Sequence, residues 1–283
     1  SCGFALLAHM DGEKSHWLVQ TTLESLARLT HRGAVAADGK SGDGCGIMLQ
    51  FPEPFLRDVA EECGFKLSEH FASGLVFFSP DQKLIERGQK ILTRRLRRAA
   101  LDVVGWREVP TCPEVVGEQA LQSMPAIYQV FVNAPAGWRP HDIERQLFAA
   151  RRLAFEEERQ LPDPDPYYYV VTLSNLTLVY KGLVQAEHLA DFYPDLRDGR
   201  ITSSIGICHQ RFSTNTLPRW NYAQPFRYLA HNGEINSVNA NRDWANARAG
   251  ILHSPFWPTL DALLNVGDTW STGTVPILLH WTT

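Results

Sequence analysis

The sequence lacks the cysteine patterns that mark a disulfide-rich or metal-binding protein. Its five cysteines are Cys2, Cys45, Cys63, Cys112 and Cys208, and no two of them form a CxxC pair. An odd number of widely spaced cysteines argues against a disulfide framework, a zinc site or an iron–sulfur cluster in this segment. We therefore expect reduced thiols, no bound metal and a cytoplasmic location.

Long apolar runs and an excess of charge of one sign are also missing. No uninterrupted apolar stretch approaches the roughly 20 residues of a membrane span, and no signal-peptide pattern precedes Cys2. The net charge of the 283 residues is -4, which favours neither nucleic acid nor an anionic membrane as a partner. The basic stretch RRLRRAA at 94–100 has no aromatic residues interleaved and is typical of the solvated face of a helix.

What the chain does contain is an alternation of apolar runs and amphipathic segments, without internal repeats. The helical patterns end near Gly33 and near Gly64, and others cover 82–98, 140–160 and 236–248. The apolar runs predict strands at 4–10, 45–51, 72–79, 101–109, 126–134, 203–213 and 226–235.

The segment PDPDP at 162–166 predicts a loop, because each proline removes a hydrogen-bond donor and restricts its neighbour. Strands are predicted on either side of Ser174 and Asn175, which would join them as a hairpin. This mixture of hairpins and long helices favours an α+β fold of layered sheets covered by helices.

Cys2 stands next to the first residue of the sequence, in front of a glycine and an apolar run. If Ser1 were removed, Cys2 would carry a free α-amine, which has a pKa of about 8 and can accept a proton at neutral pH. A thiol beside such a base is an activated nucleophile. The alternative is a small buried hydrophobic residue near a chain end.

Two polar motifs lie at the ends of predicted buried strands. HQRFSTNT contains Arg211, whose guanidinium suits a carboxylate, and hydroxyl donors such as Thr214. An arginine paired with an aspartate at the end of a strand is the alternative. HNGEIN contains Asn232 and Gly233, whose side-chain amide and backbone N–H can form an oxyanion hole. The alternative is a tight turn, because Asn-Gly is a common turn pair.

The glycine-rich loop GKSGDGCG follows the motif THRGA. A phosphate-binding P-loop is one interpretation, but the Lys-Ser pair stands in the wrong place for it. A loop whose backbone borders a pocket is favoured.

Together, these motifs resemble the amidotransferase domain of glutamate synthase large chains, which is an N-terminal-nucleophile (Ntn-hydrolase), class II glutamine amidotransferase. The resemblance covers residues 2–250 as one domain, and 251–283 would be an atypical or truncated end of the same domain. It implies a four-layer αββα sandwich with two antiparallel sheets. The motifs that carry it are CGF, HRGA, DGKSGDGCG, NAPAGWRP, HQRFSTNTLPRW, AQPFRYLAHNGEIN and NRDWA.

The resemblance implies a catalytic role for three residues. Cys2 would attack the side-chain amide of glutamine and form a thioester, with its α-amine as base and then as acid. Asn232 and Gly233 would stabilise the oxyanion. With Ser1 attached the amine would be an amide, so we expect little glutaminase activity from that form.

Other residues would bind the substrate. Arg211 would hold the α-carboxylate of glutamine, Thr214 would add a hydroxyl, and Arg32 of HRGA would shape the pocket near the nucleophile. Asp268 in GDTWS is the nearest match to the aspartate that binds the ammonium group of glutamine in the family.

In a full-length parent, the resemblance implies that ammonia passes to 2-oxoglutarate in a synthase domain that holds FMN and an iron–sulfur cluster. No cofactor is expected in this segment. The partners implied are L-glutamine, that synthase domain and a small electron-donating chain, with no nucleic acid and no membrane. The alternatives are another class II amidotransferase, such as amidophosphoribosyltransferase, and a truncated or unprocessed domain that binds glutamine without turnover.

Overall fold

A computed structural model describes residues 3–211, 217–223, 225, 243, 247–248, 250–251 and 253–254. Their strands form two antiparallel sheets of four strands each. Sheet 1 contains β1 (Gly3–Ala8), β2 (Cys45–Gln50), β7 (Thr177–Gly182) and β8 (Ile205–Gln210). Sheet 2 contains β3 (Phe71–Phe78), β4 (Asp102–Glu108), β5 (Ala126–Asn133) and β6 (Tyr169–Val170). The strand orders are β1–β8–β2–β7 and β4–β5–β3–β6.

The helices of the described part lie between these strands in the sequence. They are α1 (His16–Arg28), α2 (Glu53–Glu62), α3 (Gln82–Arg98), α4 (Glu118–Leu121), α5 (Pro140–Arg159) and α6 (Leu189–Phe192). Ser15 caps α1 by accepting a hydrogen bond from the N–H of Leu18, and Asp81 caps α3 in the same way, which satisfies N–H groups that have no partner within the helix. None of the described helices is long and apolar enough to cross a membrane.

Two apolar cores hold the layers together. The first lies between one face of sheet 2 and helices α3 and α5, and its fully buried residues include Val76, Leu92 and Leu147. The second joins the other face of sheet 2 to sheet 1, and Phe77 and Leu49 are both part of it. α1 packs against β1 and β8 of sheet 1.

This architecture confirms the α+β class and the two antiparallel sheets with flanking helices of the expected αββα sandwich. The helix predicted at 82–98 is α3, and the segment 162–166 has no regular structure, as predicted. The basic stretch is the end of α3, where Arg95 forms an ion pair with Glu157 of α5 at 2.6 Å. The strand predicted at 226–235 lies outside the described residues, as does most of the helix predicted at 236–248.

The hairpin predicted through Ser174 and Asn175 is wrong. β6 pairs with β3 in sheet 2, whereas β7 pairs with β2 in sheet 1. The carboxylate of buried Glu144 in α5 accepts hydrogen bonds from Ser174 Oγ at 2.8 Å and from the Asn175 N–H at 2.7 Å. These bonds anchor a connection that crosses from one sheet to the other.

Candidate active site

The start of β1 and the end of β8 lie side by side in sheet 1. Gly3 pairs with Gln210, and Gln210 pairs on its other side with Cys45 of β2. Arg211 follows Gln210 directly, and Cys2 precedes Gly3 by one peptide bond. Cys2 itself lies outside the described residues. One end of sheet 1 therefore brings Arg211 next to the residue that follows the predicted nucleophile.

Arg32 lies at the same end of sheet 1. It ends the short 3₁₀ turn Thr30–Arg32 that follows α1, and its N–H donates to the carbonyl of Leu29 at 2.8 Å. A Cβ atom added to Gly3 would lie 3.1 Å from Cγ of Arg32, so a glycine at this position lets the arginine stem approach the strand closely. The structure thus places Arg32 beside the start of β1, and its role in the pocket stays a prediction.

Arg211 has a left-handed backbone conformation, with a φ of 74° that is uncommon for a residue other than glycine. Its N–H donates a hydrogen bond of 2.9 Å to the carbonyl of Gly44, which precedes β2. Gly44 has a φ of 108°, a conformation that favours glycine. Residues held in such sparsely populated conformations occur preferentially at functional sites.

Asp43 lies beside Arg211, and the sequence analysis missed it as a site residue. Its Oδ2 is 3.2 Å from Nε of Arg211, an ion pair that lacks hydrogen-bond geometry. The Gln210 Nε2 donates to its Oδ1 at 3.5 Å. Because the side chain is only 10% exposed, burial raises the pKa of Asp43, and the positive charge of Arg211 partly opposes that effect.

Arg211 therefore has the aspartate partner that the alternative interpretation of HQRFSTNT anticipates. The signal for Asp43 in the sequence is an aspartate between two glycines in SGDGCG. Nothing local in that motif indicates that it lies beside β8.

The glycine-rich loop before β2 is fixed by its own hydrogen bonds. Val35 and Gly42 form an isolated antiparallel bridge. The Asp38 carboxylate accepts hydrogen bonds from the N–H groups of Ser41 at 2.7 Å and Gln119 at 3.0 Å. The Ser41 hydroxyl and these N–H groups lower the pKa of Asp38. A P-loop leads into a helix, whereas this loop leads into β2, so the P-loop interpretation is wrong.

Two cysteines of sheet 1 are unsuited to act as the nucleophile. Cys45 and Cys208 are both fully buried. Burial raises the pKa of the Cys208 thiol to about 11, and it raises the pKa of Cys45 still further. Such thiols carry little thiolate at neutral pH and are inert.

The remaining predicted site residues, Asn232, Gly233, Thr214 and Asp268, lie outside the described residues, as Cys2 does. Their roles stay predictions. Within the described part of the chain, no group of three or more His, Cys, Asp or Glu side chains is placed to hold a metal ion.

Comparison with known proteins connects this geometry to a family. The family model "Glutamine amidotransferases class-II" matches residues 2–271. The chain is 38% identical over 261 residues to ferredoxin-dependent glutamate synthase 2, chloroplastic, of Arabidopsis thaliana. This alignment covers 91% of this chain and 16% of that protein.

Two bacterial relatives give the same result. The glutamate synthase (NADPH) large chain of Bacillus subtilis is 36% identical over 249 residues, or 88% of this chain and 16% of that protein. The counterpart of Azospirillum brasilense is 37% identical over a 287-residue alignment, which covers 97% of this chain and 18% of that protein. The chain thus spans 16% to 18% of the length of these curated relatives. It belongs to the class II glutamine amidotransferases.

Proposed function

We propose that this chain is the glutaminase domain of a glutamate synthase and hydrolyses L-glutamine to L-glutamate and ammonia. The observation that carries the proposal is the pairing of Gly3 with Gln210. Residues paired across antiparallel strands lie about 5 Å apart, so Arg211 and the residue next to Cys2 are close neighbours. In this proposal the nucleophile at residue 2 and the carboxylate-binding cation at residue 211 contact the two ends of one glutamine molecule.

The chemistry uses Cys2 and its own α-amine. The amine takes the proton of the thiol, and the thiolate sulfur attacks the amide carbon of glutamine. The tetrahedral oxyanion accepts hydrogen bonds from the Asn232 side chain and the Gly233 N–H. The protonated amine then donates its proton to the departing ammonia, which leaves a thioester. Water, activated by the same amine, attacks the thioester and releases glutamate. These reaction steps require that Ser1 be absent, because with Ser1 attached the nitrogen of Cys2 is an amide nitrogen and cannot act as a base.

Substrate binding uses the charges of glutamine. Arg211 binds the α-carboxylate, and Asp43 holds Arg211 in place from the side of the protein. Thr214 adds a hydroxyl donor, and Asp268 binds the α-ammonium group. Arg32 lies over Gly3 and limits the pocket beside the nucleophile. A cation for the α-carboxylate and an anion for the α-ammonium group give selectivity for glutamine over a simple amide, which has neither charge.

In the full-length parent, the ammonia is consumed by 2-oxoglutarate in a synthase domain outside this chain. FMN, an iron–sulfur cluster and a small electron-donating chain belong to that part of the parent, because no step of glutamine hydrolysis needs them. The names of the relatives, which include ferredoxin-dependent and NADPH enzymes, support a redox reaction downstream of the ammonia. A cytoplasmic location is part of this proposal.

The variant Cys2→Ala tests the nucleophile in a preparation that begins at residue 2. It should abolish both turnover and the glutamyl adduct seen by mass spectrometry after acid quenching, while glutamine binding by calorimetry stays largely intact. The matched control is Cys63→Ala, which removes an exposed thiol and should keep full activity. Turnover retained by Cys2→Ala would contradict the proposal.

A further inference from the structure

Lys181 is a fully buried lysine near the end of β7. Its Nζ donates hydrogen bonds to the carbonyl of Asn221 at 2.9 Å and to the Tyr169 hydroxyl at 3.2 Å. It also lies 4.5 Å from the centre of the Tyr169 ring, at a distance typical of a cation–π contact. Burial lowers the pKa of Lys181 well below its usual range. A lysine at this position costs folding free energy that an apolar side chain would not.

The carbonyl that Lys181 contacts belongs to the segment 219–223, which lies between Arg211 and Asn232 in the sequence. Trp220 anchors the segment on one side of Asn221, because its Nε1 donates to the carbonyl of Ala120 at 3.0 Å. The indole also packs on Gly182, where an added Cβ would lie 2.6 Å from the ring. The segment is therefore held at two successive residues, through the indole of Trp220 and the backbone carbonyl of Asn221.

On the other side of Asn221, the segment reaches the backbone that holds Arg211. A Cβ added to Gly44 would lie 3.1 Å from the Cβ of Ala223, so these two residues are in close contact. The carbonyl of Gly44 in turn accepts the hydrogen bond from the N–H of Arg211. A continuous series of contacts thus runs from Lys181 through the segment 219–223 and Gly44 to Arg211.

We propose that Lys181 is a positioning residue for glutamine binding, which holds the segment 219–223 against Gly44 and thereby fixes the backbone of Arg211. The inference rests on the proposed function, in which Arg211 binds the α-carboxylate. In this proposal Lys181 acts through Arg211, and its amine contacts Asn221 and Tyr169. Its removal should therefore weaken the binding of substrate and transition state equally, which raises KM and leaves kcat unchanged.

The test is Lys181→Met, which keeps an unbranched apolar side chain and removes the amine. The matched control is Tyr193→Phe, because the Tyr193 hydroxyl donates to the backbone carbonyl of Lys181 at 2.9 Å, so this variant removes a hydrogen bond to the lysine's backbone and keeps the amine. Steady-state glutamine hydrolysis gives KM and kcat, and hydrogen exchange with mass spectrometry follows the peptide that contains 219–223. Both measurements use preparations that begin at Cys2.

Lys181→Met should raise KM about tenfold with kcat within about twofold, the size expected when one buried hydrogen bond is lost and the Asn221 carbonyl loses its donor. It should also speed exchange in the peptide that contains 219–223, and Tyr193→Phe should change neither quantity. A folded Lys181→Met protein with unchanged KM would overturn the proposal, whatever happens to its melting temperature.

Arg211→Lys, measured in parallel, distinguishes a failure of the proposed role of Lys181 from a failure of the proposed role of Arg211. If Arg211→Lys raises KM and Lys181→Met does not, only the role of Lys181 is wrong; if neither raises KM, the proposed role of Arg211 is wrong as well. Where Lys181→Met does not fold, Tyr169→Phe takes its place, since it removes only the hydroxyl that Nζ contacts. Tyr169→Phe should raise KM by a smaller factor at constant kcat, and an unchanged KM would contradict the proposal.

Discussion

Nε of Arg211 lies 3.2 Å from Oδ2 of Asp43, at the end of sheet 1 where β1 begins. The arginine has a left-handed backbone and the aspartate is largely buried, and both features cost folding free energy. Strained residues and ionisable groups with perturbed pKa values are enriched at functional sites, so this pair indicates a functional site. Its position next to Gly3 connects it to the predicted nucleophile.

Arg211→Lys should raise the KM for glutamine about tenfold or more and lower kcat by a smaller factor. Lysine keeps the positive charge but lacks the planar fork that binds a carboxylate through two hydrogen bonds, and this contact exists already in the ground state. Steady-state kinetics of glutamine hydrolysis measures both constants. An unchanged KM would mean that Arg211 only pairs with Asp43.

Asp43→Asn should raise KM at neutral pH and remove the rise of KM that the wild type shows as the pH falls. Because burial raises the pKa of Asp43 above its ordinary 3.8, the wild-type carboxylate takes up a proton at a higher pH than an exposed aspartate does. Its attraction for Arg211 is then lost, so the wild-type KM should rise as the pH falls through that raised pKa. Parallel pH profiles of KM in the two proteins would contradict this role.

The raised pKa of Asp43 also determines how the free energy of unfolding changes with pH. A raised pKa means that the folded state binds the proton more tightly than the unfolded state, so this group stabilises the protein at low pH. That contribution is lost as the pH rises from 3.8 through the raised pKa. Asp43→Asn removes this contribution of the carboxyl group. Chemical denaturation at several pH values should therefore show that the free energy of unfolding depends less steeply on pH in the variant than in the wild type.

The thiols should differ sharply in their reaction with iodoacetamide at pH 8. With a pKa of about 11, Cys208 has about one thiolate in a thousand at that pH, and Cys45 is protected still more strongly. Cys63 is exposed and should be modified. In a preparation that begins at Cys2, Cys2 should react fastest, and glutamine should slow its modification. Peptide mass spectrometry identifies the sites, and rapid labelling of Cys45 in the folded protein would contradict the account.

The sequence was sufficient to predict most of the regular elements, because their signals are local. The helix predicted at 82–98 has an amphipathic pattern, and the structure places α3 there, with Asp81 as its cap. Gly3 and Arg32 belong to motifs that resemble a known family, and the structure brings these residues together.

Errors arose where an outcome depends on which strands become neighbours. The runs on either side of Ser174 are both apolar and joined by a short polar link, a pattern that fits a hairpin as well as a crossing between sheets. Glu144, 30 residues away in the sequence, decides between them by binding Ser174. Asp43 was missed for the same reason, since only the pairing of β2 with β8 places it beside Arg211.

In the proposed mechanism, glutamine hydrolysis depends on the free α-amine of Cys2 as its base. The most direct measurement compares the release of glutamate and ammonia by two preparations, one that begins at Ser1 and one that begins at Cys2, with the first residue verified by mass spectrometry. Activity is expected only in the preparation that begins at Cys2. Equal activity in both would show that another group is the base and would contradict the mechanism.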